Sequence, residues 1–154
     1  MRVTEPTSLG NDLLRSAARL SRWASRHASF DVPFAQARLL ALLDELGPSR
    51  VSTLAAADHS SQPSITTQLH RLEAAGWVER AVDPDDARAS LVSLTPAGKD
   101  ALEDVRRARV AVLAPALDGL DGPALVRVRM AIDVLDELLA AAAEPPSHPT
   151  RKDG

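Results

Sequence analysis

No cysteine occurs among the 154 residues, which excludes disulfides, thiolate metal sites, cysteine nucleophiles and cysteine-based peroxide sensing. Aromatic residues are scarce, at 3% against 45% hydrophobic residues in all, so alanine, leucine and valine must fill the interior. A core built from such aliphatic ridges favours helices packed on helices. No apolar run approaches the ~18 residues that a membrane span requires. The stretch Met1-Arg2-Val3-Thr4-Glu5-Pro6 lacks the apolar centre of a secretory leader. The expectation is a cytoplasmic protein with no membrane partner. An excess of positive charge is missing too, the formal net charge being −3. Any contact with nucleic acid must therefore rest on local cations rather than on bulk charge.

What is present is mostly helical periodicity, in a length that suits one domain with a hydrophobic core. Leu13, Ala17, Leu20 and Ala24 recur at i, i+4, i+7 and i+11, one face of a helix. The pattern breaks at Phe30-Asp31-Val32-Pro33, where Asp31 is expected to cap the next helix with Pro33 in its first turn. Ala35, Leu39, Leu42 and Leu46 give that helix a stripe, and Gly47-Pro48 ends it. Ser52 begins a short helix reaching about Asp58, followed by the polar turn Asp58-His59-Ser60-Ser61. Ser61 is a suitable N-cap for a helix from Gln62 to Ala75, with Pro63 in its first turn. Ile65, Leu69 and Leu72 face inward on that helix, and Gly76 stands where a left-handed terminating residue is wanted.

The period then changes. Trp77 to Val82 and Leu91 to Leu94 read as strands, joined by the turn-rich loop Asp83 to Ala89. This is a β-hairpin with a long tip, and Arg88 sits on it among the acidic turn formers Asp83, Asp85 and Asp86. Thr95 caps a further helix, with Leu102, Val105, Val112 and Ala116 on its apolar side, and Asp118 to Pro123 form a turn. In the last helix Leu125, Val128, Ile132, Leu135 and Leu139 alternate steps of three and four, the seam of a coiled coil. A seam of that kind exposed on a monomer would be a large apolar patch, so a homodimer is expected. From Pro145 onward the chain is polar and proline-rich, with a disordered tail expected.

Helix, short helix, tight turn, helix and hairpin, in that order, make a winged helix-turn-helix. The fold class is therefore mainly α with a small β-hairpin wing (α+β), a winged helix-turn-helix with a further helix before it and two after it. The second helix of the motif presents free N–H groups at its N-terminus, which suit a phosphate. Pro63, Ser64, Thr67, His70 and Arg71 lie opposite its apolar stripe, with Gln62 at the tip. These side chains can meet base edges and phosphates in a major groove, although alone they would suit a solvated helix face equally well. The wing shifts the balance. One arginine on an otherwise acidic tip suits insertion into a minor groove, with Asp86 steering the guanidinium. Local cations are few. From Ala35 to Lys99 the basic residues are Arg38, Arg50, Arg71, Arg80, Arg88 and Lys99, six against eight acidic ones.

Two stretches carry a resemblance. Ser61-Gln62-Pro63-Ser64-Ile65-Thr66-Thr67-Gln68-Leu69, continued by Arg71-Leu72-Glu73-Ala74-Ala75-Gly76-Trp77-Val78-Glu79-Arg80, resembles the reading head of the MarR family. Asp83-Pro84-Asp85-Asp86-Ala87-Arg88 and Leu94-Thr95-Pro96-Ala97-Gly98 resemble that family's wing and its exit into the next helix. The resemblance implies a transcription regulator, expected to be a repressor, that binds double-stranded DNA as a homodimer on an inverted repeat. It implies DNA contacts from Ser61, Gln62, Pro63, Ser64, Thr66, Thr67, Gln68, Arg71 and Arg88, with wing support from Asp86. It implies dimerisation through the first and last helices, Leu13 and Leu20 joining Leu125, Val128, Ile132, Leu135 and Leu139. It also implies a small-molecule effector in a cleft between the dimer helices and the reading head. The sequence departs from the family where an apolar residue is usual at Ser60, a glycine is common at His59 and an arginine is common at Ala87 and Thr67.

The division expected is 1–33 for the N-terminal dimerisation helix, 34–98 for the DNA-binding region, 99–144 for the C-terminal dimerisation helices and 145–154 for the tail. No cofactor and no metal are expected, since His27, His59, His70 and His148 show no ligand spacing and the Asp83–Asp86 run lacks the glycine and glutamate of a calcium loop. Trp23 and Trp77 read as core or interface residues, Trp23 alternatively as lining for a ligand cleft. Nothing suggests an enzyme: no nucleophile–base set or glycine-rich phosphate loop occurs. The alternative is a winged-helix adapter that binds protein without DNA.

Overall fold

The computed structural model describes residues 6–143. Two compact units divide the chain between Leu113 and Ala114. The first holds α1 (Pro6–His27), α2 (Phe34–Leu46), α3 (Val51–Asp58), α4 (Gln62–Ala74), β1 (Val78–Asp83), β2 (Asp86–Leu94) and α5 (Pro96–Asp118) as far as Leu113. The second holds the end of α5 and all of α6 (Gly122–Ala143). The expected tail from Pro145 lies outside the described residues.

The core of the first unit is aliphatic. Leu39, Leu40 and Leu43 of α2 meet Leu54 of α3, Ile65, Leu69 and Leu72 of α4, Val78 and Val92 of the hairpin, and Leu102 and Val105 of α5. The inward residues of α4 are those expected. On α2 only Leu39 of the expected stripe is buried, with Gln36, Ala37, Leu40 and Leu43 beside it, whereas Ala35 and Leu46 are exposed and Leu42 is half-buried. The helix is so rich in alanine and leucine that spacing alone could not set its rotation. Its start differs too. Asp31 provides no cap; Pro33 stands at the N-cap, and its carbonyl accepts from the N–H groups of Gln36 and Ala37, both at 2.9 Å. Likewise α3 begins one residue earlier than Ser52, behind Arg50. In α1 only Ala24 of the expected stripe is buried, Leu13 being half-buried and Ala17 and Leu20 exposed.

The wing is tighter than its turn-rich sequence suggests. β1 and β2 pair antiparallel from Val78↔Leu94 to Val82↔Ser90, then again at Asp83↔Asp86 across the turn Pro84-Asp85. The long loop is thus replaced by a short turn and a bulge, since Ala87, Arg88 and Ala89 have no partners between those two rungs. A further pair of hydrogen bonds joins Ser49 to Val92, at 2.9 and 2.8 Å, tying β2 to the segment before α3.

The exit from the wing is locked. Thr95 Oγ1 donates to the carbonyl of Gly76 at 2.6 Å and accepts from the N–H of Gly98 at 3.1 Å, the cap expected for α5. A Cβ on Gly98 would lie 1.9 Å from the carbonyl oxygen of Trp77, so only glycine lets the first turn of α5 come so close.

In the second unit α6 starts behind Asp121, whose Oδ1 accepts from the N–H of Ala124 at 2.8 Å. The helix has no buried residue. Leu125, Ile132 and Leu139 of the expected seam are exposed at 45%, 43% and 68%, while Val128 and Leu135 are half-buried.

Candidate nucleic-acid interface

The reading surface is set by the turn that precedes α4. His59 closes α3 in a left-handed conformation, φ 53° and ψ 33°, which costs a residue with a side chain more than it costs glycine. Its N–H and that of Ser60 return to the carbonyls of Ala56 and Ala55. The carboxylate of Asp58 accepts from the Ser60 hydroxyl and pairs with Arg38 of α2, whose guanidinium also reaches the Asp58 carbonyl at 3.2 Å. Ser61 then caps α4, its Oγ accepting from the N–H of Ser64 at 3.3 Å.

With Ile65, Leu69 and Leu72 fixed in the core, the opposite face of α4 is fixed as well. Ser61, Gln62, Pro63, Ser64, Thr67, His70 and Arg71 are exposed. Thr67 donates its hydroxyl to the Pro63 carbonyl at 3.0 Å. Two expected contact residues sit differently. Thr66 and Gln68 are only half-exposed, and Gln68 Oε1 is sealed from solvent without a hydrogen-bond partner among the described residues.

Arg88 is exposed in the bulge of β2. Asp86 supports that bulge by another route than steering the guanidinium: its Oδ1 accepts from the backbone N–H of Arg88 at 3.0 Å. Asp83 is no solvated turn former either. It is 4% exposed, and its Oδ2 takes Arg50 Nε at 2.6 Å while its Oδ1 takes the N–H of Asp85 at 2.9 Å. The Asp85 N–H, with the Arg50 guanidinium behind it, holds the Asp83 carboxyl below the usual carboxylate range against the cost of burial. Arg50 and Asp83 lie 33 residues apart in sequence, and no local pattern joins them.

These pairings sharpen the charge count. Among the described residues Arg38, Arg50 and Arg80 are committed to Asp58, Asp83 and Glu73. Of the six cations between Ala35 and Lys99, that leaves Arg71, Arg88 and Lys99 without an acidic partner. One stands on the exposed face of α4 and one on the wing.

Behind the motif is an open cavity of about 310 Å³, lined by Phe30, Phe34, Leu42, Arg38, Asp58 and Arg109 among others. Arg109 donates to Ser21 Oγ at 2.8 Å, but its Nε is buried without a partner among the described residues. Trp23 does not line this cavity; it stacks on His27, ring centroids 4.7 Å apart, and His27 Nδ1 lies 2.8 Å from the Trp23 carbonyl oxygen. No group of three or more potential metal ligands occurs among the described residues, and none of their helices is long and apolar enough to cross a membrane.

Comparison with known proteins covers the same ground. The model of the MarR family matches residues 34–90. An HTH-type transcriptional regulator of Mycobacterium tuberculosis is 33% identical over 128 residues, 82% of this chain and 90% of its own. A mutant of MarR from E. coli superposes with a TM-score of 0.65 at 22% identity, over 90% of this chain and 99% of that one. A mutant of MepR from S. aureus, solved bound to an oligodeoxyribonucleotide, superposes at 0.59 with 18% identity, over 84% and 96%. At those identities the two structures speak for the fold alone.

Proposed function

Since the chain belongs to the MarR family of helix-turn-helix transcriptional regulators, we propose that it represses transcription in the cytoplasm as a homodimer bound to an inverted repeat. In this reading α4 enters the major groove with Gln62, Ser64, Thr67 and Arg71, and Arg88 enters the neighbouring minor groove. The observation that carries it is the disposition of cations: among the described residues a net-acidic reading head leaves Arg71 and Arg88 without an acidic partner on α4 and the wing and commits Arg38, Arg50 and Arg80 to internal pairs. Cations free to meet phosphate and groove are what binding requires. The apolar seam of α6, exposed in the single chain, supports the dimer. The cavity lined by Arg38, Asp58 and Arg109 supports an effector.

The test is selection of bound duplexes from a random pool, followed by salt titration of the best of them. Inverted repeats with half-sites about one helical turn apart, and affinity falling steeply with salt, are expected. Single half-sites, or binding indifferent to salt, would contradict the proposal.

A further inference from the structure

We propose that Arg50 and Asp83 are positioning residues for DNA binding: their ion pair braces the outer end of the wing against the start of α3 and fixes where the Arg88 bulge stands relative to α4. The inference rests on the wing reading above. A two-stranded hairpin is marginal by itself, so the rest of the fold must hold this one. At its inner end Val78 and Val92 are buried in the core, and Ser49 pairs with Val92. Along β1 the next four residues, Glu79 to Val82, are exposed, Val82 at 68%. Apolar packing therefore gives the outer strand little hold. Asp83 ends that strand, roughly 16 Å from Val78 at the usual rise of a strand, and it is buried again.

The hold at Asp83 is directional. Arg50 reaches one carboxylate oxygen with both Nε and an Nη, at 2.6 and 2.5 Å. The other oxygen takes the Asp85 N–H and so shapes the turn. One carboxylate thus fixes both the turn and its distance from α3. With Asp83 buried but the Arg50 side chain 42% exposed, the pair is a poor device for stability alone, since solvent weakens its attraction while the carboxylate still loses its hydration. It does supply an orientation that an apolar contact lacks. The wing is pinned at both ends, and the bulge carrying Arg88 follows directly on Asp86, the cross-strand partner of Asp83.

The test uses the full chain and a duplex selected by it from a random pool. Affinity, hydroxyl-radical protection of the minor groove and melting temperature are measured for Arg50→Met, Arg88→Ala and their double variant. Arg50→Met is expected to weaken binding about tenfold and to lose the minor-groove protection, with Arg88→Ala costing little more in that background. Arg50→Lys should restore part of both, which a loss of stability alone would not explain. If Arg50→Met keeps the minor-groove protection, or if the two losses multiply, the brace is refuted. Should Arg88→Ala alone cost nothing, the wing reading itself falls and takes the brace with it. If Arg50→Met does not fold, Asp83→Asn, which keeps an acceptor for the Asp85 N–H, is judged by the same criteria.

Discussion

Helices α4 and α6 each carry a regular aliphatic stripe, and the two stripes meet different fates. On α4, Ile65, Leu69 and Leu72 are 3%, 0% and 0% exposed. On α6 nothing is buried, and Leu125, Ile132 and Leu139 keep 43% or more of their surface in solvent. The difference sets which face each helix keeps in solvent. The stripe of α4 is matched within its own unit by α2, α3 and β1, which leaves its polar face exposed, as the proposed DNA contact requires. Within its own unit the stripe of α6 has no such match among the described residues, and it is the aliphatic surface that the proposed dimer would cover.

The largest expected effect falls on the closed core. Leu69→Ala should cost about 2–5 kcal/mol, measured by denaturant unfolding, and the cost should be the same at every protein concentration. Ile132→Asp acts on the open stripe instead. It should weaken dimerisation roughly a hundredfold or more, by burying a charge without a partner. Sedimentation velocity would report this, and circular dichroism should still show folded helices. A monomer as unstable as the Leu69 variant would break the comparison, because α6 would then belong to the core. Gly98→Ala should cost on the order of 1–3 kcal/mol, since its methyl would meet the Trp77 carbonyl. It should lower the melting temperature without altering dimerisation. The smallest change has the opposite sign. His59→Gly removes a side chain from a left-handed position and should raise stability by about 0.5–1 kcal/mol, the relief of strain exceeding the entropy lost to a freer unfolded chain.

How far the sequence was legible follows the same division between local and distant causes. Helix α4 could be read almost residue by residue because it is punctuated: Ser61 caps it, Pro63 fits its first turn, Gly76 has the positive φ that ends it, and its three inward residues are separated by polar ones. Helix α2 could not be phased, since leucine and alanine occupy nearly every side of it and packing, rather than periodicity, chose Leu40 and Leu43 over Leu42 and Leu46. The wing was legible as a hairpin and misread in detail. Three aspartates and a proline signal a turn without saying that Asp83 goes inward, because its partner Arg50 comes from a remote part of the chain. In the candidate interface, the exposure of Arg88 and of the outer face of α4 was legible in the sequence. The inward turn of the Gln68 carbonyl and the commitment of Arg38, Arg50 and Arg80 needed the packed structure.

The central claim is that α4 and the wing act together on DNA, and Arg88→Ala tests it most directly. Affinity for a selected duplex and melting temperature are measured on one preparation. An exposed arginine outside the core should leave the melting temperature unchanged, while its loss from a minor groove should weaken binding by about ten- to a hundredfold per subunit. Unchanged affinity in a folded variant would contradict the account, and so would a loss of affinity no larger than an accompanying loss of stability explains.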